Sequence, residues 1–140
     1  MSTKRIGNIG EAKTLYEFVK HKIPVYIPYG DNEKADLIAE FNDKLNKIQI
    51  KTAEKCEDGY YIVDLRSCKN HKTTPEVYKY TANDIDYFSV VCVERDVMCL
   101  VPISDVEGAT SITIRYAESK NKQHKNIRNE ADYTIDKFIK

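Results

Sequence analysis

An acid, an amide and a lysine lie close together in one apolar segment, at Asp36, Gln49 and Lys51, and a further acid, Glu11, lies upstream. Carboxylate and amide oxygens are ligands for a hard divalent cation. A lysine ammonium can stabilise the charge that develops on a phosphate. If the fold brings these side chains to one surface, they form the layout of a metal-dependent phosphodiesterase site. Whether the four side chains meet at one surface depends on the strands and the helix that carry them.

The segment around Asp36 and Gln49 predicts a β-hairpin. Ala35 to Phe41 and Lys44 to Lys51 both alternate apolar and polar residues, and Asn42-Asp43 lies between them. Asn and Asp tolerate the left-handed backbone that a two-residue turn requires. With this turn Asp36 faces Gln49, and directly opposed residues have Cβ atoms roughly 4.5–5.5 Å apart, which lets the two side chains share one ion.

The same register divides the hairpin into an apolar and a polar face, because successive side chains of a strand point to opposite faces. We expect Ala35, Leu37, Ile48 and Ile50 on the apolar face, and Asp36, Gln49 and Lys51 on the other. A three-residue turn would instead oppose Asp36 to Ile50, and the hydrophobic pattern disfavours that slip.

A helix is predicted from about Gly10 to His21, with Asn8 as its cap and Glu11 in its first turn. Its apolar stripe is predicted to consist of Ala12, Leu15, Tyr16, Phe18 and Val19.

Further strands are predicted over Val25–Ile27, Tyr60–Leu65 and Ser111–Tyr116, of which the last is an edge strand, and a second hairpin joins Tyr87–Glu94 to Val97–Ile103. We also expect a loop over Ser67–Glu76 and a short helix over Thr81–Ile85. The C-terminal segment is predicted to dock on the core through Tyr133, Ile135, Phe138 and Ile139. This order predicts an α/β or α+β domain with a mixed sheet and the helix of Glu11 on one side. The glycines between Gly7 and Gly10 follow no strand and lack the GxGxxG pattern, so we expect neither a Rossmann fold nor a nucleotide cofactor.

The length of 140 residues predicts one domain, 1–140. The sequence shows neither a signal peptide nor a membrane span, so we expect a cytoplasmic protein that is not secreted, associates with the nucleoid when bound to DNA, and makes no membrane contact. Cys92 and Cys99 lie in apolar runs and are predicted core residues. Cys56, Cys68 and His71 lack a CxxC spacing, and zinc is not expected.

The formal net charge is zero, but the charges are segregated along the chain. Acidic residues gather between Asp31 and Asp58, whereas the segment from Arg115 to Arg128 carries three lysines against the single acid Glu118. An acidic centre suits cations, and a basic flank suits phosphate.

Eight short motifs in a fixed order carry a family resemblance: Gly7-Asn-Ile-Gly-Glu11, Pro-Tyr-Gly-Asp-Asn32, Ala-Asp36-Leu-Ile, Ile-Gln49-Ile-Lys51-Thr-Ala, Asn-Asp-Ile-Asp-Tyr-Phe88, Leu-Val-Pro-Ile103, Lys-Asn-Lys-Gln123 and Ala-Asp-Tyr133. In them the chain resembles the PD-(D/E)XK nuclease superfamily, specifically its small group I intron-encoded homing endonucleases. The resemblance implies a restriction-endonuclease-like core, a mixed central β-sheet flanked by helices, with an additional β-hairpin.

The resemblance also implies a role for each polar residue. Asp36 is the metal-binding aspartate, Gln49 occupies the position of the second acid, Lys51 is the motif lysine, and Glu11 completes the site. Ala35 stands where the signature has proline, and the amide of Gln49 removes one negative charge. The branch that the chain resembles carries the same glutamine, so we do not interpret it as inactivation. The expected cofactor is Mg²⁺, with Mn²⁺ as a possible substitute.

We therefore expect a Mg²⁺-dependent, site-specific endonuclease of double-stranded DNA, assembled as a homodimer or homotetramer because cleavage of both strands needs two sites. The residues expected to contact DNA are Lys120, Asn121, Lys122, Gln123 and Lys125. A Holliday-junction resolvase and a restriction-type enzyme remain open on the same core. From other classes, a DNA-binding module without cleavage and a structural protein with an exposed strand edge also remain open.

Overall fold

A computed structural model describes residues 1–30, 32–70, 75–118 and 128–140. The elements of this part of the chain are α1 (Thr3–Lys20), β1 (Val25–Tyr26), β2 (Leu37–Phe41), β3 (Lys44–Ala53), β4 (Tyr60–Asp64), β5 (Ser67–Asn70), β6 (Pro75–Tyr78), β7 (Tyr87–Cys92), β8 (Val97–Pro102), α2 (Ile103–Val106), β9 (Ser111–Arg115), β10 (Arg128–Asn129) and two 3₁₀ turns, Glu130–Asp132 and Ile135–Lys137.

Five strands form the central sheet in the order β1-β2-β3-β7-β8. β3 and β7 run parallel, and the other neighbours are antiparallel, so the predicted mixed sheet is confirmed. A strand near the middle of a sheet that is covered on both faces is apolar throughout. β7 follows this rule with one exception, because Phe88 to Cys92 are all buried and only Ser89 among them is polar.

The β2–β3 hairpin has the predicted turn and register. Asn42 and Asp43 both have left-handed backbone, with φ of 55° and 59°, as a two-residue hairpin turn requires. Phe41 pairs with Lys44, and Leu37 pairs with Ile48. The pairing stops at Leu37. Ala35 packs in a different hydrophobic cluster from Leu37, so the predicted face of Ala35 is wrong.

Helix α1 begins seven residues before the predicted start. Ser2, rather than the predicted Asn8, caps it, because the Ser2 hydroxyl accepts the backbone N–H of Arg5 at 3.2 Å. Glu11 is consequently the ninth residue of the helix and not part of its first turn. The helix runs through Gly7 and Gly10, two residues that the sequence-based prediction placed before it or at its first position.

The face of α1 that packs on the sheet carries two small residues and one large one. Gly10, Thr14 and Phe18 are its buried residues. A Cβ atom at Gly10 would overlap the hydroxyl of Thr52, so only glycine lets the helix approach β3 this closely. The Thr14 hydroxyl forms a 2.6 Å hydrogen bond with the hydroxyl of Ser89 beneath the helix.

The predicted apolar stripe of α1 is wrong except at Phe18, because close contact through glycine and threonine turns the larger side chains away from the sheet. Four of the five predicted residues, Ala12, Leu15, Tyr16 and Val19, are exposed.

The other face of the central sheet is covered by a three-stranded sheet in the order β10-β9-β4. β9 lies in its middle, parallel to β10 and antiparallel to β4, so the prediction of an edge strand is wrong. A second hydrophobic cluster fills the space between these sheets. It includes Tyr61, Val63, Phe88, Val90, Ile112 and Ile114.

Two predictions between β4 and β7 are also wrong. The expected loop over Ser67–Glu76 contains strand β5, which pairs with β6 in a separate two-stranded sheet. The expected helix over Thr81–Ile85 is a turn, because the Asp84 carboxylate accepts the Thr81 N–H at 2.9 Å and closes the chain locally.

The predictions for the two core cysteines and for the C-terminus are confirmed. Cys92 and Cys99 are buried, as are Tyr133 and Ile135 of the C-terminal segment. The Tyr87–Glu94 and Val97–Ile103 segments form the predicted hairpin, β7–β8. In the described ranges, no helix has both the length and the apolar character needed to cross a membrane.

Candidate active site

Asp36 lies where β2 separates from β3. Its backbone N–H donates to the carbonyl of Ile48 at 2.8 Å. Its carboxylate accepts the backbone N–H of Ile50 at 2.9 Å. The carboxylate therefore takes the hydrogen bond that a further residue of β2 would have taken, and it lies at the edge of β3. This explains why the alternation of faces does not extend back to Ala35.

Gln49 lies between the two residues of β3 that bind Asp36. The pairing of Leu37 with Ile48, continued by one residue, places Gln49 across from Asp36. Gln49 is half-buried. The backbone of Gln49 thus lies next to Asp36 at the edge of β3, and the sharing of one ion by the two side chains stays a prediction.

The surroundings of Asp36 raise the pKa of its carboxyl group above the ordinary value. Burial is the largest cause, and the N–H of Ile50 and the charge of Lys51 oppose it. Burial disfavours the ionised form because the surroundings solvate charge less well than water does. A bound cation would stabilise the ionised carboxylate of Asp36 and so offset this loss of solvation.

Glu11 reaches the same place from α1. Glu11 and Asp36 line one cleft of about 610 Å³, together with Glu33 and the apolar residues Leu15 and Ile27. Burial, and then the negative charge of Asp36, raise the pKa of the Glu11 carboxyl. The fold has therefore brought together two carboxylates that are far apart in the sequence and that repel each other when ionised.

Lys51 is held from two sides. Its ammonium donates to the carbonyl of Arg66 at 2.8 Å and lies 5.3 Å from the centre of the Tyr80 ring. Burial lowers the pKa of Lys51, and the charges of Asp64 and Asp36 oppose that shift. The lysine is thus a partly desolvated cation beside Asp36.

Sequence reasoning did not identify the residues that position Lys51. The Arg66 carbonyl is fixed by a local turn, in which the Asp64 carboxylate accepts the Arg66 N–H and its guanidinium at 2.8 Å each. The same contacts lower the pKa of Asp64 to about 2. Tyr80 packs edge-on against Phe88, with ring centres 5.4 Å apart. No local motif marks these residues, because tertiary packing alone brings them to Lys51.

The residues around Asp36 suit a hard cation that keeps most of its water. Within the described residues, no group of three or more His, Cys, Asp or Glu side chains could hold a metal ion. Mg²⁺ does not need such a group, since one or two carboxylates and the substrate phosphate commonly hold it. Glu11 and Asp36 supply two carboxylates with raised pKa values. Gln49 is not among the described residues that line their cleft, so its amide oxygen as a ligand stays a prediction. These two carboxylates by themselves fit Mg²⁺.

The predicted DNA-contacting residues Lys120, Asn121, Lys122, Gln123 and Lys125 lie outside the residues that the structure describes, as does His71. Their roles remain predictions.

Comparison with known proteins identifies the family and the fold of this chain. A family model described as PD-(D/E)XK endonuclease matches residues 1–136. Among solved structures, the chain is similar to a bacterial homing endonuclease, I-Ssp6803I, with 25% identity and a TM-score of 0.71 over 89% of this chain and 84% of that one. No curated protein sequence matches the chain. The restriction-endonuclease-like fold and the resemblance predicted from the sequence are confirmed. The chain belongs to the PD-(D/E)XK endonuclease family.

Proposed function

We propose that this protein is a Mg²⁺-dependent, site-specific endonuclease that hydrolyses phosphodiester bonds of double-stranded DNA in the manner of a homing endonuclease. The observation that carries the proposal is the position of Asp36. Its carboxylate is fixed by the N–H of Ile50 at 2.9 Å, and it lies within electrostatic range of both Glu11 and Lys51. Glu11 and Asp36 line one cleft, and the charge of Lys51 acts on Asp36 from beside it, an arrangement that suits a metal ion together with a phosphate.

Asp36, Glu11 and Gln49 are the residues that would hold Mg²⁺, or Mn²⁺ in its place. When bound, the metal polarises the scissile phosphate and lowers the pKa of a water molecule that attacks it. Asp36 can accept from Ile50 through one oxygen and present the other to the ion. Glu11 approaches from α1, so the distance between the helix and β3 sets the separation of the two carboxylates.

Lys51 would stabilise the negative charge that grows on the phosphate during attack. An ammonium that is already oriented needs no reorganisation at the moment of reaction. The Arg66 carbonyl and the Tyr80 ring provide that orientation. Loss of this orientation is expected to lower the rate of the chemical step more than the affinity for DNA.

Phosphate contacts away from the cut are assigned to Lys120, Lys122 and Lys125, with Asn121 and Gln123 able to bond phosphates or base edges. Each neutralised phosphate steepens the decline of binding with salt, by about 0.9 in the slope of log K against log salt for duplex DNA. Replacing the three lysines by glutamine is expected to reduce that slope by about 2 to 3.

A homodimer or homotetramer follows from the need to cut both strands, because the described residues of one chain form one such catalytic set. Exposed apolar side chains on α1 outside the cleft, at Tyr16 and Val19, are available for subunit contact. Sedimentation equilibrium of the free protein and of a complex with duplex DNA measures the state. A monomer in both would contradict this part of the proposal.

The test of cleavage uses three substrates: supercoiled plasmid, a synthetic four-way junction and a randomised duplex library. Each is incubated with Mg²⁺ or with EDTA. We expect cleavage of duplex DNA with Mg²⁺ alone, and its loss in Asp36→Asn and Lys51→Ala. Preference for the junction would instead assign the core to a resolvase. Cleavage of many short library sites would favour a restriction-type enzyme.

A second candidate is a DNA-binding module that keeps the nuclease fold without cleaving. It is favoured by the amide at Gln49 and by the small number of carboxylates, since the described residues hold no group of three metal-ligating side chains. Binding of duplex DNA without cleavage of any of the three substrates would support this candidate. Restoration of cleavage by Gln49→Glu would then show that the missing charge is the cause.

A further inference from the structure

The candidate active-site cleft continues into a second, smaller groove beside the first turns of α1. This groove has a volume of about 410 Å³, and its lining includes the basic residues Lys4 and Arg5. Asn8 and Ala12 line both the groove and the cleft, so the two form one continuous surface. A strand of DNA whose scissile phosphate lies in the cleft can therefore continue along this groove.

One face of α1 leads from the groove to the candidate metal-binding acids. Residues four positions apart lie one above the other on a helix. Lys4, Asn8 and Ala12 repeat at this spacing, and Glu11 is three positions after Asn8. Lys4 and Glu11 are seven positions apart, which is about 10 Å at a rise of ~1.5 Å per residue. This face thus carries positive charge at one end and a carboxylate at the other.

The two basic side chains of the groove are not engaged by the protein. Lys4 and Arg5 are exposed, and neither side chain has a hydrogen-bond or ion-pair partner among the described residues. Other cations near the cleft are occupied. Lys34 pairs with Asp84 at 3.0 Å, and the Lys51 ammonium donates to a backbone carbonyl at 2.8 Å. Lys4 and Arg5 are therefore available to an anion from solution.

The position of these two cations is unfavourable for the helix itself. The N-terminal end of a helix carries partial positive charge, which favours Asp and Glu there and disfavours Lys and Arg. The first turn of α1 contains Lys4 and Arg5 and no acid. Ser2 already caps this end, so the side chains, and not free backbone N–H groups, are the feature that needs an explanation. Local rules of this kind are broken where residues serve a function.

We propose that Lys4 and Arg5 bind phosphates of the DNA strand that leaves the catalytic cleft, about three nucleotides from the cut, since the ~10 Å along α1 corresponds to three steps of ~3.4 Å in one strand. The proposal rests on the proposed nuclease function, because that function makes duplex DNA the occupant of the cleft. The two cations hold the flanking phosphates and fix the register of the strand, while Glu11 and Asp36 attract the metal ion at the cut.

The salt dependence of binding measures these contacts without requiring cleavage. Binding to duplex DNA is measured in Ca²⁺ from about 50 to 200 mM salt for the wild type and for Lys4→Gln/Arg5→Gln. The matched control is Lys20→Gln/Lys22→Gln, which removes the same charge from two exposed residues. Lys20 ends α1, about 22 Å from Arg5 along the helix.

Each lost phosphate contact is expected to reduce the slope of log K against log salt by about 0.9. We therefore expect Lys4→Gln/Arg5→Gln to reduce the slope by about 1.8 and to weaken binding about 60-fold at about 0.1 M salt, and the control to keep the wild-type slope. An unchanged slope, or an equal reduction in both double variants, would overturn this inference and leave the nuclease function standing. If the wild type binds no duplex, the proposed function and this inference both fail.

Stability and charge conservation separate a DNA contact from a role in folding. Removing the two cations relieves their repulsion by the helix dipole, so the urea midpoint of Lys4→Gln/Arg5→Gln is expected to equal or exceed that of the wild type. The charge-conserving variant Lys4→Arg/Arg5→Lys is expected to keep the wild-type salt slope. A lower urea midpoint in the glutamine variant, or a reduced slope in the charge-conserving one, would contradict the inference.

The position of the contact is measured on the duplex that the cleavage assay selects. A single methylphosphonate removes the charge of one phosphate at a time. We expect neutral phosphates about two to four nucleotides from the cut to weaken binding of the wild type about eightfold and to leave binding of Lys4→Gln/Arg5→Gln unchanged. Equal weakening of both proteins at these positions would overturn the assignment.

Discussion

The two glycines of α1 offer the sharpest test of how the candidate site is assembled. A Cβ atom at Gly7 would have nothing within 4 Å, whereas a Cβ atom at Gly10 would overlap the Thr52 side chain on β3. Alanine in a helix interior is favoured over glycine by about 0.8–1 kcal/mol. Inserting a methyl group into a tight contact costs about 1–3 kcal/mol. We therefore expect Gly7→Ala to stabilise the protein by about 1 kcal/mol, and Gly10→Ala to change its stability by about 0 to −2 kcal/mol.

The difference between the two variants, about 1–3 kcal/mol, is the quantity to measure. Urea unfolding followed by far-UV circular dichroism gives it from the two midpoints, provided that the m-values agree. The double variant Gly10→Ala/Thr52→Ala removes the Thr52 methyl and hydroxyl groups. We expect it to recover most of the stability lost in Gly10→Ala, because the overlap with Thr52 disappears. Equal stability of Gly7→Ala and Gly10→Ala would refute the inference that glycine is needed for the approach of α1 to β3.

The same pair of variants connects packing to catalysis. Gly10 is next to Glu11, so a displacement of α1 by the new methyl group would move the Glu11 carboxylate away from Asp36. A misplacement of about 1 Å in a catalytic group costs up to about 100-fold in rate. We expect Gly10→Ala to cut DNA 10- to 100-fold more slowly than Gly7→Ala at saturating Mg²⁺.

Three further predictions concern other contacts. Tyr80→Leu removes the aromatic ring beside Lys51 and is expected to lower kcat about tenfold with little change in DNA affinity, since a desolvated cation–π contact is worth about 1–2 kcal/mol. An unchanged kcat would contradict the role of Tyr80 in orienting Lys51. Asn46→Ala is expected to cost about 1–3 kcal/mol in urea unfolding, because the buried Asn46 amide donates to three backbone carbonyls at 3.0 to 3.2 Å. Asp36→Asn tests how the ionisation of Asp36 affects stability. Burial raises the pKa of Asp36 above 3.8, so the folded protein binds the carboxyl proton more tightly than the unfolded chain does. As the pH rises above 3.8, ionisation of Asp36 therefore destabilises the fold. In EDTA, the Tm of Asp36→Asn relative to wild type should increase between about pH 4 and pH 7; a constant difference would show that ionised Asp36 carries no such penalty.

The sequence by itself determined the β2–β3 hairpin. The Asn42-Asp43 turn fixes which residues face each other, because a two-residue turn allows one register, and the alternation along β3 puts Gln49 and Lys51 on one side of that strand. The burial of Cys92 and Cys99 and the family resemblance were equally available from the sequence. The hairpin and the apolar runs depend on residues within a few positions of one another, and the resemblance depends on short motifs in a fixed order.

Tertiary structure decided which face of α1 packs and how the polar residues meet. The apolar stripe predicted the wrong face, because close packing at Gly10 and the Thr14–Ser89 hydrogen bond depend on the shape of β3 and β7, which no periodicity in the helix encodes. The carboxylate of Asp36 replaces a backbone partner at the edge of β3, and the partners of Lys51 come from the connection after β4 and from Tyr80. Sequence patterns record the period and the turns of each element, whereas the contacts between elements are set by the shapes that pack together.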